Sequence, residues 1–164
     1  MRKTISSILA ILLVSVFAFF AIASSSEGEE TKQEPGQAQA GANDSNVGDY
    51  SVEIKSARLT KDWEGKNTVV ITYGFTNNGD NAISFSTAIS DNAYQNGVGL
   101  EQAFILKDGD PYDDSNQYKE IKKGATLDVE IPYVLNDSES DVEVEVEEWI
   151  SFSDDKVSRT FSIK

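Results

Sequence analysis

The sequence predicts an all-β protein, an antiparallel β-sandwich of seven or eight strands over residues 49–164. One observation is that apolar and polar residues alternate there with a period of two, as in half-buried strands. Another is that Gly, Asn, Asp and Ser cluster between the apolar runs, where turns are expected. A third is that no stretch carries the 3.6-residue apolar period of an amphipathic helix. A segment of this length is enough for one domain with one core.

The first predicted strand begins at Tyr50, and its apolar residues change phase between Ile54 and Ala57. Such a change predicts a β-bulge or bend near Lys55-Ser56. The later alternating runs occupy residues 69–76, 83–89, 98–106, 127–135, 142–152 and 157–163.

Two turns are marked by their residue types. Asn77-Asn78-Gly79-Asp80 separates the second run from the third. Asn96-Gly97 tolerates the positive φ angles of a type I′ turn, so it predicts a tight hairpin.

The strands at 127–135 and 142–148 are predicted to lie in different sheets. The first presents Asp128 and Glu130 outward and the second presents a row of glutamates, so pairing them would bring like charges together. Pro132 cannot donate a ladder hydrogen bond, which favours an edge strand. An immunoglobulin-like sandwich separates its E and F strands between sheets in this way.

Glu148 and Arg159 each interrupt an apolar phase near the end of the chain. A hairpin turning around Ser153-Asp154 would place them opposite each other, and a paired buried charge is tolerated better than a lone one. The same register would pair Ile150 with Val157, Val146 with Phe161 and Val144 with Ile163. We therefore predict a structural ion pair between Glu148 and Arg159.

Residues 1–23 are typical of a secretory signal peptide. Arg2 and Lys3 are followed by an apolar stretch and by Ala21-Ile22-Ala23, an A-x-A cleavage site that would make Ser24 the first mature residue. The apolar run is shorter than the about 20 residues of a spanning helix, and an uncleaved signal anchor is the alternative. Ser24 stands where a lipoprotein needs Cys, so no lipid anchor is expected.

Residues 24–48 are predicted to be a disordered acidic linker. Ser, Glu, Gln, Gly and Ala dominate, and such a composition cannot bury enough surface to offset its chain entropy. The linker is a mobile tail on a secreted domain if the signal is cleaved. It becomes a tether at the cell surface if the signal remains.

The composition excludes several classes of function. The chain has 164 residues with no His and no Cys, which excludes a Ser-His-Asp triad, a disulfide frame and imidazole or thiolate metal sites. Its net charge of −14 argues against nucleic acid as a partner and favours a soluble monomer. No Gly-rich phosphate loop is present.

Six fragments of the domain carry a resemblance to known proteins, and they are YSVEIKSARLTKDWEGK (Tyr50–Lys66), VVITYGFTNNG (Val69–Gly79), ISFS (Ile83–Ser86), AYQNGVGLE (Ala93–Glu101), KEIKKGAT (Lys119–Thr126) and SFSDDK (Ser151–Lys156). In this order they resemble a domain family of unknown function found in small secreted proteins and lipoproteins of Gram-positive bacteria. The resemblance covers almost all of residues 50–164. It implies an immunoglobulin-like sandwich related in fold to a secreted mycobacterial immunoprotective antigen, and it carries no catalytic or binding residues. The absence of Cys departs from the lipoprotein members.

The loop from Lys107 to Asn116 is the one candidate for a metal. It offers Asp108, Asp110, Asp113 and Asp114, and clustered carboxylates suit Ca²⁺. The spacing fails the EF-hand pattern, which requires Gly where Asp113 stands and Glu where Lys119 stands. A solvated acidic turn is the plainer interpretation, and no metal ligand is assigned.

Three further features could bind a partner. Asp141, Glu143, Glu145 and Glu147 fall on one outward face, either as a docking stripe for a cationic partner or as an ordinary polar sheet face. Trp149 lies in the same outward phase, and local packing is the expectation for it. Trp63 lies in a turn, where it would project to a partner or cover one end of the core.

The sequence therefore predicts an exported, non-catalytic binding or interaction module that acts outside the cytoplasm. Its partner would be a protein, a peptide or a cell-envelope component. A calcium-binding or sensing protein using residues 107–116 is one alternative. An enzyme is the other, and it is not expected because no catalytic or cofactor-binding residues can be assigned and no cofactor is implied.

Overall fold

The computed structural model describes residues 46–152 and 154–164. The described residues form eight strands: β1 (Asn46–Val47), β2 (Tyr50–Lys61), β3 (Asn67–Asn77), β4 (Ile89–Gln95), β5 (Val98–Gly99), β6 (Thr126–Val134), β7 (Val142–Glu148) and β8 (Lys156–Phe161). A single helical turn, α1 (Phe85–Ala88), precedes β4, and a short 3₁₀ helix spans Asp114–Tyr118. The predicted signal peptide and most of the predicted linker lie outside the described residues.

The strands form two antiparallel four-stranded sheets, in the orders β1-β2-β3-β6 and β5-β4-β7-β8. The core lies between the sheets and is built from the alternating apolar residues. Its fully buried members include Val69, Ile71, Tyr73 and Phe75 of β3, Val129 and Ile131 of β6, and Val142, Val144 and Val146 of β7. Each such side chain contributes about 1.5–3 kcal/mol by leaving water. The predicted all-β sandwich is confirmed.

The folded part of the chain begins earlier than the predicted start at residue 49. Asn46 and Val47 form β1, which pairs with Tyr50 and Ser51 of β2. Val47 is fully buried in the core. Residues 46–48 therefore belong to the sandwich, through the buried side chain of Val47 and two ladder positions.

Three local predictions are confirmed. The register of β2 against β3 shifts between Ile54 and Ser56, at the predicted bulge. β6 and β7 lie in different sheets, and β6, which carries Pro132, is the last strand of its sheet. The Asn96-Gly97 turn joins β4 to β5 with φ angles of 53° and 76°.

Residues 83–89 do not form the predicted strand. Phe85–Ala88 make one helical turn, in which the amides of Thr87 and Ala88 donate to the carbonyl of Ser84. The turn lets Phe85 enter the core, where its ring lies 5.3 Å from the ring of Tyr73 and 5.7 Å from that of Phe75. Alternation alone could not distinguish this turn from a strand.

The strand predicted over 98–106 is also shorter than expected. Only Val98–Gly99 pair as a strand, and the chain then crosses the outer face of the β1-β2-β3-β6 sheet. Ala103 and Leu106 form a small second cluster there with Val70, and Tyr112 and Val134 pack against it.

The predicted register of the last hairpin is wrong by four residues. Val146 pairs with Val157 and Val144 with Arg159, so Glu148 does not face Arg159. β7 ends at Glu148 and β8 begins at Lys156, so a longer connection replaces the tight turn and leaves Ile150 exposed. Arg159 satisfies its charge elsewhere, on the opposite sheet.

Candidate functional site

Asp110, one of the four aspartates of the 107–116 loop, holds the loop in place. The side chain of Asp110 is only 5% exposed and accepts hydrogen bonds from both Nη atoms of Arg58, at 3.0 and 2.8 Å, and from Oγ1 of Thr60 at 2.6 Å. The Arg58 hydrogen bonds are the main cause that lowers the pKa of Asp110 to about 2. Asp110 thereby fastens the loop to the outward side of β2.

The other loop carboxylates do not join Asp110. Oδ1 of Asp113 accepts the amide of Ser115 and caps the 3₁₀ helix, and Asp114 lies within that helix. Across residues 46–152 and 154–164, no three acidic side chains are grouped so that they could hold a metal ion. Asp110 and Asp113 thus each make a contact within the fold, Asp110 to β2 and Asp113 to the 3₁₀ helix.

Glu143, Glu145 and Glu147 point outward from β7 as predicted, and β7 lies between β4 and β8. We call the outer face of the β5-β4-β7-β8 sheet the acidic face, defined by these three glutamates. Glu143 and Glu147 are exposed, and Glu145 accepts a hydrogen bond from Nζ of Lys156 at 2.6 Å. Most of the negative charge on this face is thus open to a partner.

A shallow polar cleft of about 580 Å³ opens at one end of the acidic face. It is lined by the Asn96-Gly97 turn, by residues 139–141 and by Glu143, and Lys164 contributes a cation. Most of its lining is polar, so the cleft resembles a solvated groove more than a ligand pocket.

Trp149 begins an exposed apolar segment after β7. Trp149 is 65% exposed, Ile150 is 72% exposed and Phe152 is fully exposed. We call residues 149–152 the tip loop. The amide of Trp149 donates to the carbonyl of Ala88 at 2.9 Å, so the loop begins from a fixed point beside α1. The outward position of Trp149 agrees with the prediction, but the side chain is largely exposed and does not show the local packing that was expected.

Trp63, Phe104 and Ile105 form a second exposed apolar set, which we call the turn patch. The amide of Trp63 donates to the carbonyl of Ile105 at 3.2 Å, which brings the 62–65 turn beside the 101–107 segment. Buried Asp62 accepts the amides of Glu64 and Lys66 and fixes the turn. Trp63 therefore projects outward and does not cover the core.

Asp91 is a titratable residue that the sequence reasoning missed. It lies on β4 between Ile89 and Ala93, in the phase that faces the core, and the hydroxyl of Tyr133 donates to it across the sheets. Burial raises the pKa of Asp91, and the hydrogen bond from Tyr133 opposes that rise. The hydrogen bond joins β4 to β6 across the core. An acid in an apolar phase was the signal that could have found it.

The fold and its exposed patches define a two-sheet β-sandwich that presents apolar side chains at its loops. The chain belongs to the family described as domain of unknown function (DUF5067), whose model matches residues 24–148. The match ends immediately before the tip loop. No curated protein sequence matches the chain.

A solved structure shares the fold. It is described as that of a putative lipoprotein from Staphylococcus aureus subsp. aureus NCTC 8325, and it is 21% identical in sequence. The similarity has a TM-score of 0.56 and covers 73% of this chain and 88% of the other. The helical segments of the described residues are too short to cross a bilayer.

Proposed function

We propose that this protein is a non-catalytic interaction module that works outside the cytoplasm, with an immunoglobulin-like sandwich as its scaffold. The observation that carries the proposal is the exposure of large apolar side chains in two compact sets, the tip loop and the turn patch. Single exposed apolar residues are ordinary, whereas grouped ones mark surfaces that bind partners.

The scaffold suits this role because the apolar side chains of the tip loop and of the turn patch project from a packed core without belonging to it. Function on such folds resides in loops and sheet faces held by a rigid framework. Asp91 and Asp110, the buried or partly buried carboxylates with shifted pKa values, both serve structural contacts. That use of the two groups supports a binding role over a catalytic one.

The location outside the cytoplasm is supported by the signal peptide predicted at 1–23. The lipoprotein description of the structural neighbour is compatible with the same location. N-terminal sequencing of the natural product from medium and envelope fractions tests this part of the proposal. A mature chain starting at Ser24 in the medium is expected, and an intact N-terminus in the cytoplasm would contradict export.

The binding role is tested with the full chain, tagged at its C-terminus and exposed to envelope fractions of the producing organism. We expect saturable retention that survives high salt and that falls when exposed apolar residues are replaced, in Trp149→Ser with Phe152→Ser or in Trp63→Ser with Phe104→Ser. Tyr118→Ser, which removes an exposed aromatic side chain outside both sets, is the matched control. Retention that is purely ionic, or equal in all variants, would contradict the proposal.

A further inference from the structure

We infer that the tip loop docks on a basic protein or peptide surface, one that offers an apolar groove rimmed by Lys or Arg side chains. This inference rests on the proposed function and adds the site and the chemistry of the partner. Two independent properties of the tip loop support it, its exposed apolar side chains and the acidic residues around it.

The apolar side chains supply the affinity. Trp149, Ile150 and Phe152 leave most of their surface in water, and burying that surface in a complex would stabilise it. Trp is among the residues that most often dominate the energy of an interface. None of the three belongs to the buried core, so core packing does not account for the presence of these large apolar side chains.

The surrounding charge selects the partner. Exposed Glu147 precedes the tip loop, and exposed Asp154 and Asp155 follow it. Glu143 and Glu145 continue the negative charge along β7, with Lys156 bound to Glu145. In a chain with a net charge of −14, this surface attracts cationic partners and repels anionic ones.

The geometry of the acidic face fits an extended basic chain. Alternate residues of a strand lie about 6.5–7 Å apart, so the three glutamates match alternate side chains of a partner in extended conformation. The outer face of the other sheet differs, because the segment containing Ala103 and Leu106 packs across it. In the described part of the chain, no comparable segment packs across the acidic face.

A lipid bilayer is the competing occupant for exposed Trp and Phe side chains. Anionic headgroups attract basic segments, and the acids that flank the tip loop have the opposite sign. A basic protein surface can both bury the apolar side chains of the tip loop and attract the acidic residues that flank it, whereas a bilayer can only bury the apolar side chains.

The two tryptophans of the chain allow a direct test on the full-length protein. Trp63→Phe leaves Trp149 as the only reporter, and Trp149→Phe leaves Trp63 as the matched control. Each protein is titrated with a synthetic peptide of alternating lysine and leucine, with its glutamate-leucine counterpart, and with phosphatidylcholine or phosphatidylglycerol vesicles.

We expect the lysine-leucine peptide to shift the emission of Trp149 to shorter wavelength and to leave that of Trp63 unchanged. Phe152→Ser should weaken binding by about tenfold or more, the equivalent of one lost apolar anchor. Raising salt from about 0.05 to 0.5 M should weaken it further, since exposed charges are then screened. The glutamate-leucine peptide should not bind.

Several results would overturn the inference. They are a shift of Trp63, tighter association of Trp149 with either vesicle than with the peptide, or no response of Trp149 to the peptide. If envelope retention still depends on exposed apolar residues in any of these cases, the proposed function stands and only the partner chemistry is wrong. If that retention is also absent, both fail.

Discussion

Arg159 is an inward-facing cation whose guanidinium donates hydrogen bonds to backbone carbonyls of the opposite sheet. One of its Nη atoms donates to the carbonyls of Ile54 and Lys55, at 2.6 and 2.7 Å. The guanidinium also lies 4.6 Å from the ring centre of Phe161, a cation–π distance. The bulge in β2 breaks the ladder at these carbonyls, so an edge residue of the opposite sheet can bind them.

Replacing Arg159 with Met is expected to lower the free energy of unfolding by about 2–3 kcal/mol, because the partly buried carbonyls of Ile54 and Lys55 lose their donor. Arg159→Lys should recover part of that loss, since its ammonium can donate but lacks the planar fork. Guanidinium denaturation measures both, with Ser158→Ala on the exposed side of β8 as the control. Equal stability of Arg159→Met and the control would contradict this account.

Asp110 gives the molecule a pH-dependent contact. Its pKa is about 2 in the folded state and about 3.9 in an unfolded chain, so ionised Asp110 stabilises the fold above that unfolded value. The stabilisation is lost as the pH falls from about 4 to about 2. Because Arg58 is one-third exposed and solvent screens the pair, we expect about 1–2 kcal/mol.

Asp110→Asn should therefore be destabilised at pH 7, and its difference from the parent should shrink as the pH falls from about 4 to about 2. Denaturant unfolding at a series of pH values measures the difference. Asp108→Asn, in the same loop but exposed, should change little at any pH. A constant difference for Asp110→Asn between pH 7 and pH 2 would show that its charge is not responsible.

At the scale of single elements, a substitution in the Asn96-Gly97 turn measures the cost of a left-handed backbone conformation without any change in packing. Gly97 has a φ of 76°, and a Cβ added there would meet nothing within 4 Å. Gly97→Ala should therefore cost about 1–2 kcal/mol through its left-handed conformation alone. Gly99→Ala, two residues along, has no positive φ and should cost less. Thermal unfolding of the two variants measures the difference, and equal losses would argue against the turn assignment.

Elements governed by local chemistry were predictable from the sequence. The β2 bulge, the Asn96-Gly97 turn and the separation of β6 from β7 each follow from neighbouring residues or from charge along one strand. The register of β7 against β8 was not predictable, because the partners of Arg159 lie more than one hundred residues away. The α1 turn was missed for a similar reason, since its packing against β3 determines it.

The candidate site was predicted only in part. The outward glutamates of β7 follow from strand phase. The exposure of Trp149 does not, since local packing is the sequence expectation for it, and the sequence leaves open whether Trp63 projects outward or covers the core. Ile150 and Phe152 looked like core residues because they continue an apolar alternation beyond the end of β7. Nothing local marks Glu148 as the last ladder residue, so the exposure of the tip loop required the fold.

At the scale of the whole molecule, polar contacts join the two sheets on opposite sides of the core. On one side Arg159 of β8 binds the bulge of β2, and on the other Tyr133 of β6 donates to Asp91 of β4. The chain contains no Cys, so no disulfide can serve this purpose. Each contact fixes an edge strand against the facing sheet.

The same molecule carries 28 acidic and 14 basic residues, so its compact state suffers net self-repulsion. Raising NaCl from about 0.01 to 0.3 M shortens the Debye length from about 30 Å to below 10 Å and should raise the Tm by about 3–5 °C for each kcal/mol of repulsion screened. Differential scanning calorimetry measures this change in Tm, and a falling Tm would mean that the ion pairs outweigh the repulsion.

Calcium chloride at equal ionic strength should raise the Tm by the same amount as sodium chloride, because Asp110 is bound to Arg58 and Asp113 caps a helix. A larger rise with calcium would require a specific cation site and would contradict the structural role assigned to the 107–116 loop.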